Sequence, residues 1–402
     1  MPNTWIKRTI EAYFTYQWGG LDLFPVWLVL GPRQIGKSSL LMQLGSDRNY
    51  ISFDDLETRM RAKADPLSFA REIKLPISTD EIQYAPEVLE AIKVLVDKDK
   101  TPGAVWITGS QNFQVMKGVR ESLAGRVAIL NLYGFSDEEK DYNFSTPQNY
   151  FAKLFNSNFP KIFDIQDNSS RELYLSSYLQ TYVERDVVEL LGINKRREFE
   201  LFLKICALRT GQIINFADLA RDAGISPITA KEWINLLEDS FLIKLVSPYF
   251  NNRNKRLIKS PKLYFLDMGL CAYLCGWKSS EMLRLGPMGG AALETHVFSN
   301  LLKYFRHRLK DFNISFYRTR DGAEVDFLLE TDKGTLAIEV KNGIPEKKDL
   351  LKLESLFEEV TNLSSGVVLS LTLQQERPAT HPLDWNYFPL NTGIQRWFDL
   401  LK

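Results

Sequence analysis

The chain has little cysteine and no excess of charge of either sign. Its only cysteines are Cys206, Cys271 and Cys275, and this odd number fits no tetrahedral zinc pattern. A reducing compartment is the simplest explanation. The spacing of Cys271 and Cys275 predicts i,i+4 neighbours on a helix, packed as small apolar groups.

Charge is balanced, with 50 Lys and Arg residues against 50 Asp and Glu residues. Any contact with nucleic acid must therefore come from a local basic patch, because net charge supplies no attraction. No apolar run approaches the roughly 18 residues that span a bilayer, and the N-terminal MPNTWIKRTI lacks a signal-peptide core. We expect a cytoplasmic protein that does not enter a membrane.

The strongest positive signal is FPVWLVLGPRQIGKSSLLMQL, which follows the G-x-x-x-x-G-K-[ST] pattern between a strand-length apolar run and a helix. Backbone N–H groups of such a loop face a β-phosphate, and the helix N-terminus adds its positive end. Lys37 would reach the β/γ oxygens, and Ser38 would bind Mg²⁺. The predicted nucleotide-binding residues are Gly31, Pro32, Arg33, Gln34, Ile35, Gly36, Lys37, Ser38 and Ser39.

An acidic pair, Asp80 and Glu81, follows a short strand predicted over 75–79. Asp80 would hold Mg²⁺ through water, and Glu81 would polarise the attacking water. The alternative is a helix N-cap formed by Asp80, Ser78 or Thr79. A third strand, AVWITGSQN, ends near Ser110, which would sense the γ-phosphate. Strands alternating with helices up to about residue 135 predict a parallel α/β sheet and a nucleotide triphosphatase.

Several blocks together resemble one family. They are GPRQIGKSSLL, ISFDDLETR, DEIQYAPEVLEAIK, TGSQNF, ESLAGRVAIL, YLQTYVERDV, RTGQIINFADLARDAGIS and RLIKSPKLYFLDMGLCAYL. The chain looks like the AAA-type P-loop ATPases of bacteria and archaea that are fused to a winged helix and a restriction-endonuclease-like PD-(D/E)xK domain. The resemblance implies ATP as the nucleotide and an arginine finger or sensor. Arg126 matches best and Arg185 is an alternative, although either arginine could instead form a surface salt bridge.

The middle of the chain predicts an irregular connector followed by a small helical module. Gly211 and Gly224 end two helices, and Ser226 and Pro227 begin a third one before a β-like run over 243–250. This order predicts a winged helix-turn-helix. Its third helix would expose Thr229, Lys231, Glu232 and Asn235. Packing as a lid over the nucleotide is slightly favoured over DNA recognition, because the helix carries acidic residues.

A basic loop, NNRNKRLIKSPK, follows this module without an acidic residue. Such a loop could contact a phosphate backbone, with an affinity that falls steeply with added salt. The alternatives are a solvated loop or one that pairs with acids of another domain. The predicted nucleic-acid contacts are Arg253, Lys255, Arg256, Lys259 and Lys262.

The C-terminal third contains a helix with Glu294 in its first turn, followed by ISFYRTRDGAEVDFLLETDKGTLAIEVK. The Asp-Gly and TDKG turns predict three neighbouring strands. Because side chains alternate along a strand, Val325 and Phe327 would face one side, and Glu324 and Asp326 the other.

Asp326, Glu339 and Lys341 would then converge with Glu294 on a PD-(D/E)xK site. The three carboxylates would bind Mg²⁺ or Mn²⁺, and Lys341 would stabilise developing charge. A solvated charged sheet face, or a nuclease fold kept as a scaffold, are the alternatives.

These observations predict three domains over 1–135, 136–270 and 271–402. The leading hypothesis is an ATP-hydrolysing protein that acts on or with DNA through a metal-dependent nuclease-like domain, and that could form a homo-oligomer. The alternative is a regulatory ATP switch, in which an inactive nuclease-like domain mediates protein contacts.

Overall fold

The computed structural model describes most of the chain in separate ranges. They are 5–16, 21–110, 112–140, 146–165, 167–182, 195–249, 260–318, 324–331, 334–343, 360, 362–371, 377–378 and 386–389. No helix within these ranges is long and apolar enough to cross a membrane.

The first region is a parallel sheet with helices between its strands. Its elements are α1 (Glu11–Tyr16), β1 (Val26–Leu30), α2 (Lys37–Leu44), β2 (Asn49–Ser52), α3 (Leu56–Ala64), α4 (Pro66–Glu72), β3 (Ile77–Asp80), α5 (Val88–Lys98), β4 (Val105–Gly109), α6 (Asn112–Ser122) and β5 (Val127–Asn131). The strand order is β2-β3-β4-β1-β5, and every neighbouring pair is parallel. The predicted parallel α/β sheet is therefore confirmed.

Strand β3 begins two residues later than predicted and ends one residue later, so that it includes Asp80. Its four residues are buried although three of them are polar. Part of the reason is local hydrogen bonding, since Thr79 Oγ1 donates to the carbonyl of Trp106 at 3.4 Å. A buried strand can therefore carry polar residues whose hydrogen bonds are made inside the sheet.

The middle region combines helices with a small antiparallel sheet. Its elements are α7 (Pro147–Phe155), α8 (Pro160–Phe163), α9 (Asn168–Tyr182), α10 (Arg196–Leu208), β6 (Gln212–Ile213), α11 (Phe216–Ala223), α12 (Pro227–Asp239), β7 (Ile243–Val246), β8 (Lys262–Phe265), α13 (Met268–Leu274) and α14 (Ser280–Leu285). The sheet order is β6-β8-β7.

The predicted helix boundaries in this region are confirmed at two places. Gly224 ends α11 with φ of 68°, and Ser226 caps α12 by accepting a hydrogen bond from the Thr229 N–H. Cys271 lies in α13, and the Cys275 N–H donates to the Cys271 carbonyl at 3.0 Å, as expected of i,i+4 neighbours. The predicted domain boundary at 270 falls inside α13.

The last region is a central helix and a mixed sheet. Its elements are α15 (Gly289–Arg306), β9 (Asn313–Arg318), β10 (Glu324–Thr331), β11 (Gly334–Lys341), β12 (Leu363–Ser370), β13 (Arg377–Pro378) and β14 (Asn386–Pro389). The order is β13-β14-β12-β11-β10-β9, with β9, β10 and β11 antiparallel and β12 parallel to β11 and β14. The strands predicted around the two turns are thus present as neighbours. The segment KKDLLKLESLFEEV and the C-terminal segment, which the sequence predicts to be helical, lie outside the described residues, apart from Val360.

Helix α15 starts at Gly289, so Glu294 lies in its second turn and not in its first. Fourteen of its 18 residues are buried, because it packs against α13, α14, β8 and β11 at once. One continuous cluster of buried side chains runs from the first sheet through α15 into the C-terminal sheet.

Candidate nucleotide site and carboxylate cluster

The predicted phosphate loop connects the carboxyl end of β1 to α2. Strand β1 lies between β4 and β5, and the open end of such a central strand is where α/β proteins bind ligands. Two glycines are required there. Gly36 has φ of 92°, and a Cβ on Gly31 would lie 2.0 Å from the Leu132 carbonyl oxygen. The backbone of the loop therefore lies close to the ends of the strands.

Lys37 and Ser38 begin helix α2. The Lys37 side chain is buried, and its Nζ donates to the carbonyls of Gly31 at 3.0 Å and Pro32 at 2.8 Å. The Ser38 Oγ donates to Asp80 Oδ1 at 2.9 Å. The structure thus brings together the lysine, the hydroxyl and the first acidic residue of the prediction.

Asp80 is surrounded by hydroxyl groups. Tyr50 OH donates to Oδ2 at 2.8 Å, and the Thr108 hydroxyl donates to Oδ1, which also accepts from Ser38. Burial and the nearby Asp80 carboxylate raise the pKa of Tyr50. Sequence reasoning missed Tyr50, because no motif links the middle of β2 to the end of β3.

Glu81 follows Asp80 in the left-handed region with φ of 56°. Its N–H donates to Thr108 Oγ1 at 3.1 Å, and its carboxylate accepts from the Gln83 amide. Ser110 Oγ is 3.4 Å from Glu81 Oε2 and accepts from Gln83 Nε2 at 2.9 Å. Gln83, which the sequence did not single out, therefore links the two predicted catalytic residues.

The N-cap alternative for Asp80 is wrong. Asp80, Ser78 and Thr79 all belong to β3, and the short 3₁₀ turn that follows has no side-chain cap. Asp80 instead lies at the carboxyl end of a strand, next to the phosphate loop.

A cleft of about 760 Å³ opens above this site. Residues 34–39 line one wall and Glu81 contributes to another. The remainder includes the aromatic residues Trp5, Phe135 and Phe163 together with charged groups such as Arg8 and Lys161. Oxygen donors beside a buried lysine suit Mg²⁺ bound to a nucleotide phosphate. Ser38 and Asp80 would hold the ion, which would neutralise charge on the phosphates.

Arg126 does not lie in this cleft. Its carbonyl accepts from the Val26 N–H at the first residue of β1, whereas the phosphate loop follows the last residue, roughly 16 Å away at about 3.3 Å per residue. Its Nε pairs with Asp97 Oδ1 at 2.5 Å. A role as the arginine of its own chain's nucleotide site is therefore wrong, and the salt-bridge alternative describes it. Arg185 lies outside the described residues.

A second cluster of charged side chains lies between β8, α15 and the C-terminal sheet. Lys262 Nζ is 2.8 Å from Glu294 Oε1 and also contacts the Glu324 carboxylate. Tyr264 OH donates to the same Glu294 oxygen at 2.5 Å. Lys262 is only 2% exposed. Its predicted contact with nucleic acid is therefore wrong, because its ammonium is buried among carboxylates. Arg253, Lys255, Arg256 and Lys259 lie outside the described residues.

Asp326, Glu339 and Lys341 extend the cluster along β10 and β11. Asp326 Oδ2 accepts from the Val340 N–H at 2.7 Å, and Lys341 Nζ pairs with Glu339 Oε1 at 2.7 Å. The predicted alternation along β10 is wrong at one point. The register shifts between Val325 and Leu328, so that these two pack in one cluster while Phe327 packs in the main core. Such a bulge re-aims the side chains beside it.

Burial dominates the electrostatics of this cluster. Burial and the neighbouring Asp326 raise the pKa of Glu294 to about 8 and that of Glu339 to about 8. Burial also raises the pKa of Asp326. Glu339 Oε2 is buried and has no hydrogen-bond partner among the described residues.

These residues do not fit the predicted metal site. Within the described ranges, no three His, Cys, Asp or Glu side chains are placed to hold a metal ion. The physical reason is visible at Lys262, whose ammonium already joins Glu294 to Glu324, whereas the pairing of Lys341 with Glu339 is part of the predicted arrangement. Asp326 acts electrostatically on both Glu294 and Glu339, in line with the predicted convergence, but the described residues do not place these carboxylates to hold Mg²⁺ or Mn²⁺ together.

A buried ion cluster connects the two regions. Arg8 donates to the carbonyls of Ile35 at 3.3 Å and Tyr133 at 2.6 Å, and its Nε is 3.3 Å from Glu139. Glu139 is also 3.2 Å from His307, the residue that follows α15. No sequence motif links these residues, because they are far apart in the chain. They join the phosphate loop to the end of α15.

His296, on α15, contacts the segment after β5. Its Nε2 is 2.8 Å from Asp137 Oδ2, and the Asn300 side chain contacts both residues. This group fastens α15 to the segment after β5.

Comparison with known proteins divides the chain into three parts. Residues 24–140 match the model of an AAA domain, residues 147–281 that of a domain of unknown function (DUF8612), and residues 289–388 that of a domain of unknown function (DUF4143). The first match supports a P-loop ATPase of the AAA type in the region that carries the phosphate loop.

Relatives extend over most of the chain. Uncharacterized protein Rv2008c of Mycobacterium tuberculosis is 29% identical over 79% of this chain and 70% of its own length. An uncharacterized protein of Haemophilus influenzae is 24% identical over 96% of this chain and 99% of its own.

Two solved structures are similar over the greater part of the chain. The Walker-type ATPase PABY2304 of Pyrococcus abyssi shares 15% identity and a TM-score of 0.43 over 67% of this chain and 96% of its own. The Thermotoga maritima RuvB Holliday junction branch migration motor shares 16% identity and a TM-score of 0.29 over 59% and 85%. These scores are too low to support conclusions about this chain.

Proposed function

We propose that this protein binds and hydrolyses ATP with Mg²⁺. One observation carries the proposal: Lys37, Ser38, Asp80 and Glu81 meet at the carboxyl ends of β1 and β3, beside a cleft of nucleotide size. The match of residues 24–140 to an AAA domain supports it.

Each residue has a role in this proposal. Residues 31–39 bind the phosphates, and Lys37 stabilises charge on the β/γ oxygens. Glu81 polarises the attacking water, and Ser110 and Gln83 position the Glu81 carboxylate. Trp5 and Phe163, both partly exposed in the cleft, offer rings on which the adenine base can stack.

The test is ATP binding and phosphate release by the wild type and three variants. Lys37→Ala should lose both activities. Glu81→Gln should bind ATP but release phosphate at least about 100-fold more slowly. Lys63→Ala, an exposed lysine on α3, should match the wild type. Undiminished turnover in Lys37→Ala would reject the proposal.

For the rest of the chain we propose a cytoplasmic protein of three units. The first boundary lies near residue 135, as predicted, and the second, predicted at residue 270, lies after the end of α13. Helices α10 to α12 with β6 to β8 would form the winged helix. Arg126 could act only on the nucleotide of a neighbouring copy in a homo-oligomer. Gel filtration with and without ATP, beside Arg126→Ala, tests this arrangement.

We also propose that the C-terminal sheet has a nuclease-like fold that does not cleave DNA. The order of α15 before β9, β10 and β11, with Asp326 next to Glu339, supports the fold. The lysine-paired carboxylates argue against a metal centre. This favours the regulatory ATP switch over the nuclease. Cleavage of circular DNA with Mg²⁺ or Mn²⁺ that is lost in Asp326→Ala would overturn it.

Binding of DNA without cleavage is a second candidate. Lys231 and Asn235 on α12 are exposed, as a DNA-contacting helix requires. Neutralising Arg253, Lys255, Arg256 and Lys259 should abolish a salt-dependent affinity for DNA. Unchanged affinity would remove this candidate.

A further inference from the structure

The position of Lys262 in the fold fixes its ammonium inside the carboxylate cluster. Lys262 is the first residue of β8, the central strand of the three-stranded sheet. Its backbone pairs with Ile213 on one side and Val246 on the other. The side chain projects from this central strand and is only 2% exposed, so its ammonium lies inside the protein.

The groups that face this ammonium come from three different elements. Glu294 belongs to α15, Glu324 begins β10, and Phe316 of β9 places its ring 5.4 Å from Nζ. Arg318 adds a second positive charge, 3.7 Å from the other Glu324 oxygen. The contacts with Glu294, Glu324 and Phe316 favour a cation, and Lys262 supplies it, whereas Arg318 partly neutralises Glu324.

We propose that Lys262 is the resident cation of the C-terminal cluster, and that it occupies the position where a divalent metal would otherwise bind. The carboxylates of Glu294 and Glu324 are oxygen ligands of the type that Mg²⁺ and Mn²⁺ prefer. Here they accept the ammonium, 2.8 Å away in the case of Glu294. The cluster is thus complete without a metal, and it joins β8 to α15 and to the C-terminal sheet.

The consequence concerns metal binding, not catalysis. A divalent ion beside the same carboxylates would have to lie close to the ammonium, and like charges at that distance repel strongly in a buried site. Removing the ammonium while keeping an apolar stem should therefore create a metal site. Asp326, whose charge acts on both Lys262 and Glu294, would be one of its ligands.

The experiment is titration of nucleotide-free protein with Mn²⁺, followed by electron paramagnetic resonance. Wild type should bind no Mn²⁺ that depends on Asp326. Lys262→Met should gain one Mn²⁺ site, and it should bind Mn²⁺ at least about tenfold more tightly than any residual binding by the wild type. The double variant with Asp326→Asn should lose that site. Lys244→Met is the control, since Lys244 lies on the neighbouring strand and pairs with Glu238 at 2.9 Å; it should gain no site.

Two results would overturn the proposal. The first is a Mn²⁺ site in the wild type that Asp326→Asn abolishes, since metal would then bind beside the ammonium. The second is a folded Lys262→Met that binds no more Mn²⁺ than the wild type. Should Lys262→Met not fold, Lys262→Arg decides. If Lys262→Arg folds and binds no Mn²⁺, the result supports the proposal that the cluster requires an internal cation. If Lys262→Arg does not fold, the result contradicts the proposal.

Discussion

The two charged regions of this protein use similar residues in opposite ways. In the nucleotide site, Asp80 accepts hydrogen bonds from the hydroxyls of Ser38, Tyr50 and Thr108. In the C-terminal cluster, Glu294 and Glu339 are instead paired with Lys262 and Lys341. A hydroxyl can remain near a carboxylate that binds Mg²⁺, whereas a buried ammonium competes with the ion. The partners of a carboxylate therefore decide whether it can become a metal ligand.

The largest expected difference is between two matched substitutions. Asp80→Asn should lower the rate of ATP hydrolysis by about 10³-fold or more, because it removes the negative charge that holds Mg²⁺ through water. Asp326→Asn should leave this rate unchanged. Steady-state phosphate release at saturating MgATP measures both. Equal losses in the two variants would mean that the regions do not differ as described.

The second prediction concerns the ion cluster that connects the regions. Glu139→Ala should lower the free energy of unfolding by about 3–5 kcal/mol, because it leaves Arg8 buried without its carboxylate. Glu138→Ala, the adjacent residue, should cost at most about 1 kcal/mol, since its pair with Arg308 is exposed. Urea unfolding distinguishes them, and similar losses would contradict the account.

The third prediction uses the raised pKa of Glu339, about 8 against an ordinary 4.5. Between these values the folded protein binds the proton more tightly than the unfolded chain, so stability falls as pH rises from about 4.5 to 8. The free energy of unfolding should fall by about 1.4 kcal/mol for each unit by which the folded and unfolded pKa values of Glu339 differ. Glu339→Gln should lack this part of the decline.

Urea unfolding at about pH 5 and about pH 8 measures this effect. Glu330→Gln is the control, since Glu330 lies near the end of β10 and accepts a hydrogen bond from the Asn313 amide. This variant should keep the wild-type fall in the free energy of unfolding. A Glu339→Gln variant with the wild-type decline would show that Glu339 does not titrate in this range.

The smallest effect is expected for Tyr50→Phe. It removes one hydrogen bond to Asp80 and keeps the ring, a change of about 0.5–1.5 kcal/mol. The result should be a KM for MgATP raised by up to about tenfold, with less change in kcat. An unchanged KM would show that Tyr50 does not position Asp80.

Local features of this fold could be predicted from the sequence, and long-range ones could not. The phosphate loop, β1 and the caps of α12 follow from residues close together in the chain. The bulge beside Phe327 escaped prediction, because strand alternation assumes regular pairing. Lys262 was assigned to a surface loop because it follows four basic residues, whereas its burial depends on β6, β7 and α15. Tyr50 and Arg8 were missed for the same reason.

The most direct test of the account is the number of Mn²⁺ ions bound per chain, counted with and without ATP. We predict none without nucleotide and one with ATP, and the ATP-dependent ion should be absent from Lys37→Ala. An ion that binds without ATP and is lost in Asp326→Asn would contradict the account, because the C-terminal cluster would then be a metal centre.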